Sequence, residues 1–211
     1  MADALRKEIV LGVLAPGEPV LELALARRFG CSQSTVREAL LRLEQDGLVD
    51  RQAHRGTRVA PCCEADAHML LEVRHTIECR AIARSVPRAA AALPALHDAL
   101  DAMRVAAKAG DEYALSVHDR RFHLGLFEAA DLPAVRPILG RCLIHNHRYK
   151  ILNSQPNRSL GETAERHVAI LDAVAAGDAD AARRALSHHI ATIVDLGPSI
   201  LGTKPFGEEA P

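Results

Sequence analysis

Apolar positions in this chain recur mostly three or four residues apart, the spacing of one helix face. In ALRKEIVLGVL, Leu5, Ile9 and Val13 form such a stripe. APGEPV reads as a turn, and LELALARRFG as a short helix with Leu21, Leu25 and Phe29 inward and Gly30 ending it. Ser32 stands where a third helix needs its N-cap. Val36, Leu40 and Leu43 form that helix's inner face, and Gly47 stops it. There the period changes. LVDRQ and GTRVA read as short strands around AHR, with Gly56 as the turn residue. Beyond PCCE the helical period returns, broken at 85–87, at Gly110, at 132–133, at 154–156 and at Gly177. Those breaks predict six helices, with Asp111 and Asp178 as N-caps and Pro133 close to a first helical position.

The pattern predicts a mainly α protein in two parts. Residues 1–61 follow the order helix, helix, turn, helix, two-stranded wing, which is a winged helix-turn-helix. A linker is expected over 62–65, an all-helical six-helix bundle over 66–203, and a loose tail over 204–211. Composition, charge and local runs constrain the picture further. Aromatics make up 3% and tryptophan is absent, so the core has to be aliphatic. The net charge of -1 means that a polyanion must meet a local patch and not the whole surface. The start, MADALRKEIVLGVL, carries charges among its apolar residues and does not read as a signal peptide. No apolar run approaches the roughly 18 residues of a membrane span. Five cysteines, an odd number without Cys-x-x-Cys spacing, suit reduced thiols in the cytoplasm.

The third helix opens on Ser32, Gln33, Ser34 and Thr35, with Arg37 on its outer side. A core helix has no use for such a run. A DNA major groove does: it admits one helix, and its base edges are read by short donors and acceptors plus Arg or Gln. Helix N-terminal amides and hydroxyls suit phosphate oxygens. Arg51, Arg55 and Arg58 bring positive charge to the wing.

Beyond the linker, polar groups interrupt apolar stripes. Asp119 lies in the row Leu115, Asp119, Phe122, Leu126, and His123 is one turn further on. His167 lies between Ala164 and Leu171, and His189 shares a face with Leu186 and Ile193, whereas His188 turns outward. Buried separately, these groups would be costly. Imidazole and carboxylate together suit zinc, nickel, iron or manganese. By spacing alone, hydrogen-bonded core histidines and a local Asp119–His123 pair remain equally open readings. Arg74, beside the row Leu70, Val73, Ile77, could fork onto a carboxylate or pair with Glu78 at i+4. Asn146 and Arg148 are further candidates for a ligand pocket, and RCLIHNH reads as surface plus pocket wall.

LARRFGCSQSTVREALLRLEQDGLVDRQAHRGTRVA resembles the DNA-binding domain of GntR-type transcription regulators. That resemblance implies groove contacts from Gln33, Ser34, Thr35 and Arg37 beneath the Ser32 cap, and a wing tip of His54, Arg55 and Gly56. Gln33 stands where many such regulators carry arginine, so the operator sequence does not carry over. EVRHTIE, DRRFH, ERHVAILDAVAAGDADAARRAL and HHI resemble the FCD ligand-sensing domain of the FadR subfamily, in its smaller, VanR-like branch. The resemblance implies that Asp119, His123, His167 and His189 hold a divalent metal ion that helps to bind a small carboxylate effector. It also implies a homodimer on double-stranded operator DNA, most simply a repressor. The alternative is a metal-dependent hydrolytic enzyme fused to a DNA-binding domain, with Glu162 or Glu165 as base; no nucleophile motif or phosphate-binding glycine loop accompanies it.

Overall fold

The computed structural model describes residues 1–52, 56–153 and 159–192. In the first part, α1 (Ala2–Val10), α2 (Glu22–Phe29) and α3 (Gln33–Gln45) pack against a small antiparallel sheet. The sheet contains β1 (Pro19–Val20), β2 (Val49–Gln52) and β3 (Gly56–Val59), in the order β1-β3-β2. β2 and β3 are the expected wing, in register Val49↔Val59. β1 was read as turn; it pairs Pro19 with Arg58 and Val20 with Thr57, because the turn at Gly17 returns the chain along the open edge of β3.

Leu5, Ile9, Leu25, Val36, Leu40 and Leu43 meet Leu48, Val49 and Val59 in one aliphatic core. Two positions depart from the expected stripes. Val13 is 68% exposed because α1 stops at Val10, and Leu21 is 64% exposed because it is the extended N-cap of α2. α3 behaves as expected. The Ser32 hydroxyl accepts from the Thr35 amide at 3.2 Å, and Asp46 and Gly47 close the helix. Gly47 has φ +72°, a conformation that glycine adopts freely.

The second part is helical throughout its described residues. α4 (Glu64–Ser85) is followed by a 3-10 turn over Val86–Ala91, then α5 (Leu93–Lys108), α6 (Glu112–Glu128) and α7 (Arg136–Asn153). α8 (Leu160–Glu165), α9 (Val168–Ala175) and α10 (Ala179–Thr192) complete it. α4 begins inside the stretch expected as linker, with Glu64 and Asp66 in its first turn, where carboxylates suit the helix dipole. α7 begins at Arg136, later than Pro133 suggested. Asp111 and Asp178 cap as expected, accepting from Ala114 and Ala181. The described residues form seven α-helices here, not six, because the segment 160–175 breaks at His167. Ile193 and the tail 204–211 lie outside the described residues. α5 packs on α6, α4 on α7 and α9 on α10 around Leu71, Ile82, Met103, Phe122, Ile170 and Leu186.

The two parts share a boundary. Ile144 of α7 is buried in the core of the winged domain, and α1 packs along α7. No helix among the described residues is long and apolar enough to cross a membrane.

Candidate metal centre and nucleic-acid interface

Three helical segments converge on one point inside the second domain. α6 contributes Asp119 and His123, one turn apart. The α8–α9 junction contributes His167, and α10 contributes His189. A ligand atom from each lies within 4.8 Å of the others, and all four residues are buried. The break at His167 serves the site. Its Nδ1 faces the carbonyls of Thr163 at 3.0 Å and Ala164 at 3.2 Å, on the turn just before it.

Those contacts determine which ring nitrogen is free. A carbonyl only accepts, so His167 Nδ1 carries the proton, and its Nε2 lone pair lies 3.1 Å from Asp119 Oδ1. Nε2 has no hydrogen-bond partner among the described residues. His123 repeats the arrangement. Its Nδ1 donates to Glu78 Oε2 at 2.6 Å, leaving Nε2 directed at His189 Nε2, 3.2 Å away. Lone pairs and a carboxylate thus face one another in a buried space. A cation satisfies them together, and an outer carboxylate or carbonyl on the distal ring nitrogen is how metal-ligating histidines are normally held.

Electrostatics agree. Burial pushes His189 well below the usual imidazole value, and neighbouring His167 and His123 add to the shift. Burial also lowers His123, against the pull of Glu78. Both shifts favour the neutral ring, the form that ligation requires. Burial alone would raise Asp119, but His147, His167 and His123 outweigh it and hold the carboxyl well below its usual range. Glu78 likewise resists its burial through His123 and Arg74 and settles at about 2.

Two residues at this site were not anticipated. Glu78 was weighed only as a partner for Arg74, yet it bridges Arg74 Nε at 2.6 Å and His123. His147 was read with a surface segment, yet it is buried and its Nε2 donates to Asp119 Oδ2 at 2.8 Å. A signal existed for each. Leu71, Arg74, Glu78, Ile82 and Ser85 form the true inward row of α4, and Leu139, Leu143 and His147 share a row of α7.

Of the expected ligand contacts, Arg74 lies in the inward row instead of beside it, fully buried, with both terminal nitrogens unpartnered among the described residues. Asn146 donates to the Ala67 carbonyl at 3.1 Å, and its own oxygen is buried without a partner. The Arg148 guanidinium donates to the carbonyls of Ala60 at 2.8 Å and Pro61 at 3.1 Å, so it holds the chain between the wing and α4. A void of about 10 Å³, room for one water, lies beside the cluster among Glu78, Ser85, His123 and Leu186. Glu162 and Glu165 face solvent, the latter held by Arg104 at 2.8 Å, so neither reaches the cluster as a base.

In the winged domain, Gln33, Ser34 and Thr35 are exposed at the tip of α3. Arg37 is exposed too, and its Nε donates to Glu22 Oε2 at 2.8 Å, which leaves the terminal nitrogens of the guanidinium outward. Gly56 opens β3 at φ +79°, whereas His54 and Arg55 lie outside the described residues.

Comparison with known proteins identifies both parts. Residues 1–59 match "Bacterial regulatory proteins, gntR family", and residues 69–192 match "FCD domain". The chain belongs to the GntR family. It is a DNA-binding transcription regulator with an FCD domain. Among similar GntR regulators is the "Probable D-xylose utilization operon transcriptional repressor" of Paenarthrobacter nicotinovorans, 30% identical over 90% of this chain and 83% of its own length. The transcriptional repressor RspR of Escherichia coli is 29% identical over the same shares. The solved structure of Escherichia coli McbR/YncC shares the fold, with a TM-score of 0.75 at 23% identity, covering 90% of this chain and 91% of its own. A GntR regulator from Rhodococcus sp. RHA1 does so at 0.70 and 25% identity, with the same coverage.

Proposed function

We propose that this GntR regulator is a repressor that binds operator DNA as a homodimer and is switched by a small carboxylate held at a metal ion in its FCD domain. The reading is carried by the convergence of Asp119, His123, His167 and His189, with distal nitrogens already committed on two of the three rings. Such an ion would be zinc, nickel, manganese or iron, and would supply a Lewis-acidic position for a carboxylate oxygen. Arg74 sits behind Glu78 with both terminal NH2 groups unpartnered among the described residues, and supplies the counter-charge. Asn146 offers a further polar contact.

On the DNA side, the Ser32-capped tip carrying Gln33, Ser34, Thr35 and Arg37 enters the major groove, and the wing of His54, Arg55 and Gly56 follows the backbone. Two half-sites on one face of the duplex lie about 34 Å apart or a multiple of that. A change in the spacing of two winged domains therefore governs whether both dock. A ligand shifts that spacing only by binding one arrangement more tightly than the other.

The test is operator binding with a panel of organic acids. The operator is first isolated by binding of random duplexes to the ion-loaded protein. One carboxylate is expected to raise the melting temperature of the ion-loaded protein and to change operator affinity, and both effects should disappear in Asp119→Asn. Arg37→Ala is expected to weaken operator binding by about 1–3 kcal/mol at an unchanged melting temperature. If no carboxylate acts through the ion-loaded form, the sensing half of the proposal is wrong. If Arg37→Ala binds normally, the assignment of α3's reading face is wrong.

A further inference from the structure

Four consecutive residues of α7 hold partners on four different segments. His145 Nε2 donates to the carbonyl of Asp46, the C-cap of α3, at 2.9 Å. Asn146 donates to the carbonyl of Ala67 near the start of α4. His147 donates to Asp119 Oδ2 at 2.8 Å. Arg148 donates to the carbonyls of Ala60 and Pro61, between the wing and α4. Successive helix positions point in different directions at 3.6 residues per turn, so one turn can touch the cluster, the DNA-reading helix and the linker at once. Ile144, one residue earlier, is buried in the winged core.

We propose that α7 is the link through which occupancy of the buried cluster reaches the DNA-reading domain. His147 is the positioning residue at the sensor end, and His145 and Arg148 are the positioning residues at the DNA end. The proposal rests on the reading that the cluster takes a cation, and deepens it by naming the residues that carry the signal. Asp119 serves both sides: Oδ2 is held by His147, while Oδ1 faces His167 Nε2. The seating of α7 and the filling of the cluster therefore draw on one carboxylate. Because a helical turn is rigid, a shift of His147 displaces the donors of His145 and Arg148 with it. Those donors are directed at the end of α3 and at the linker, the two segments that set the angle of the recognition helix. Among the described residues, the ring of His145 bonds to Asp46 alone, and both bonds of Arg148 end on the linker while its Nε is buried without a partner, so neither side chain is anchored to a segment other than the one it would move.

The experiment uses full-length protein and Zn²⁺ alone as probe. Affinity is measured by competition with a chromophoric chelator, and amide hydrogen exchange is followed in 46–52 and 56–61, with α2 as an internal control. In the wild type, Zn²⁺ is expected to slow exchange in those two segments by about tenfold. His145→Ala is expected to retain Zn²⁺ affinity within about twofold, because the residue does not touch the cluster, but to lose most of that slowing. Arg148→Lys keeps a cation and provides the same comparison if His145→Ala melts. A tie that is only structural would raise exchange in these variants equally with and without Zn²⁺. That result, or full Zn²⁺-dependent slowing in both variants, overturns the link while leaving the metal reading in place. A wild type that shows no Zn²⁺ binding in the competition overturns the metal reading, and the link with it.

Discussion

At Asp119 the outcome is decided by which atoms already have partners. Its carboxylate is buried and ionised among imidazoles, two of which keep their protons on the far side of the ring. Asp119→Asn keeps the shape but removes the charge. It is expected to reduce Zn²⁺ affinity more than about 100-fold, beyond the loss usual for an outer partner, with the helical circular dichroism retained. Glu78 is such an outer partner, and Glu78→Gln should cost about 10–100-fold in the same competition assay. It also has a pH signature. The folded value of about 2 lies below the ordinary glutamate value of 4.5. Its stabilising contribution is therefore complete above about pH 4.5 and is lost as pH falls toward 2. The metal-free wild type should lose melting temperature across that window, and Glu78→Gln should lose less. The spacing of Asp119 and His123 was legible in the sequence. The rows of Glu78 and His147 showed that both point inward, but not which atoms they meet, because a contact with another helix leaves no mark at i+3 or i+4.

At the scale of elements, caps and stripes were the readable part. Ser32, Asp111 and Asp178 cap where their chemistry says they should, since a hydroxyl or carboxylate satisfies amides that the helix itself leaves open. The break at His167 was not readable, because nothing in ETAERHVAIL is a helix breaker. It is compensated by contacts across the domain, not by local propensity. Gly47 combines both kinds of information. Its φ of +72° marks a local stop, while a Cβ there would strike the Arg141 guanidinium of α7. Gly47→Ala is therefore expected to destabilise the protein by about 1–3 kcal/mol, measured by urea unfolding. Relaxing the contact through Arg141→Ala should restore only part of this, since the backbone strain remains.

For the whole molecule, the cores of the two domains meet along α7, and the cluster sits in the core of the helical domain. An ion bound only by the folded state stabilises it by about 2.7 kcal/mol at a hundredfold excess over its Kd. Chelation is then expected to lower the melting temperature by roughly 5–10 °C for a chain of this size. An unchanged melt would show that the cluster holds nothing under those conditions.

Taken alone, the residue pattern determined the elements that depend on near neighbours. Helical period, caps and the change to alternation at the wing follow from forces that act within a turn or a strand pair. Gln33, Ser34, Thr35 and Arg37 were legible as an outward polar tip for the same reason. Tertiary structure decided what depends on approach between distant segments: the third strand at Pro19, the break at His167, the Glu78 and His147 partners, and the bonds of Arg148 to the linker. The physical reason is that burial of a charged or ring side chain specifies that it needs a partner, while only the packing of helices specifies which atom answers.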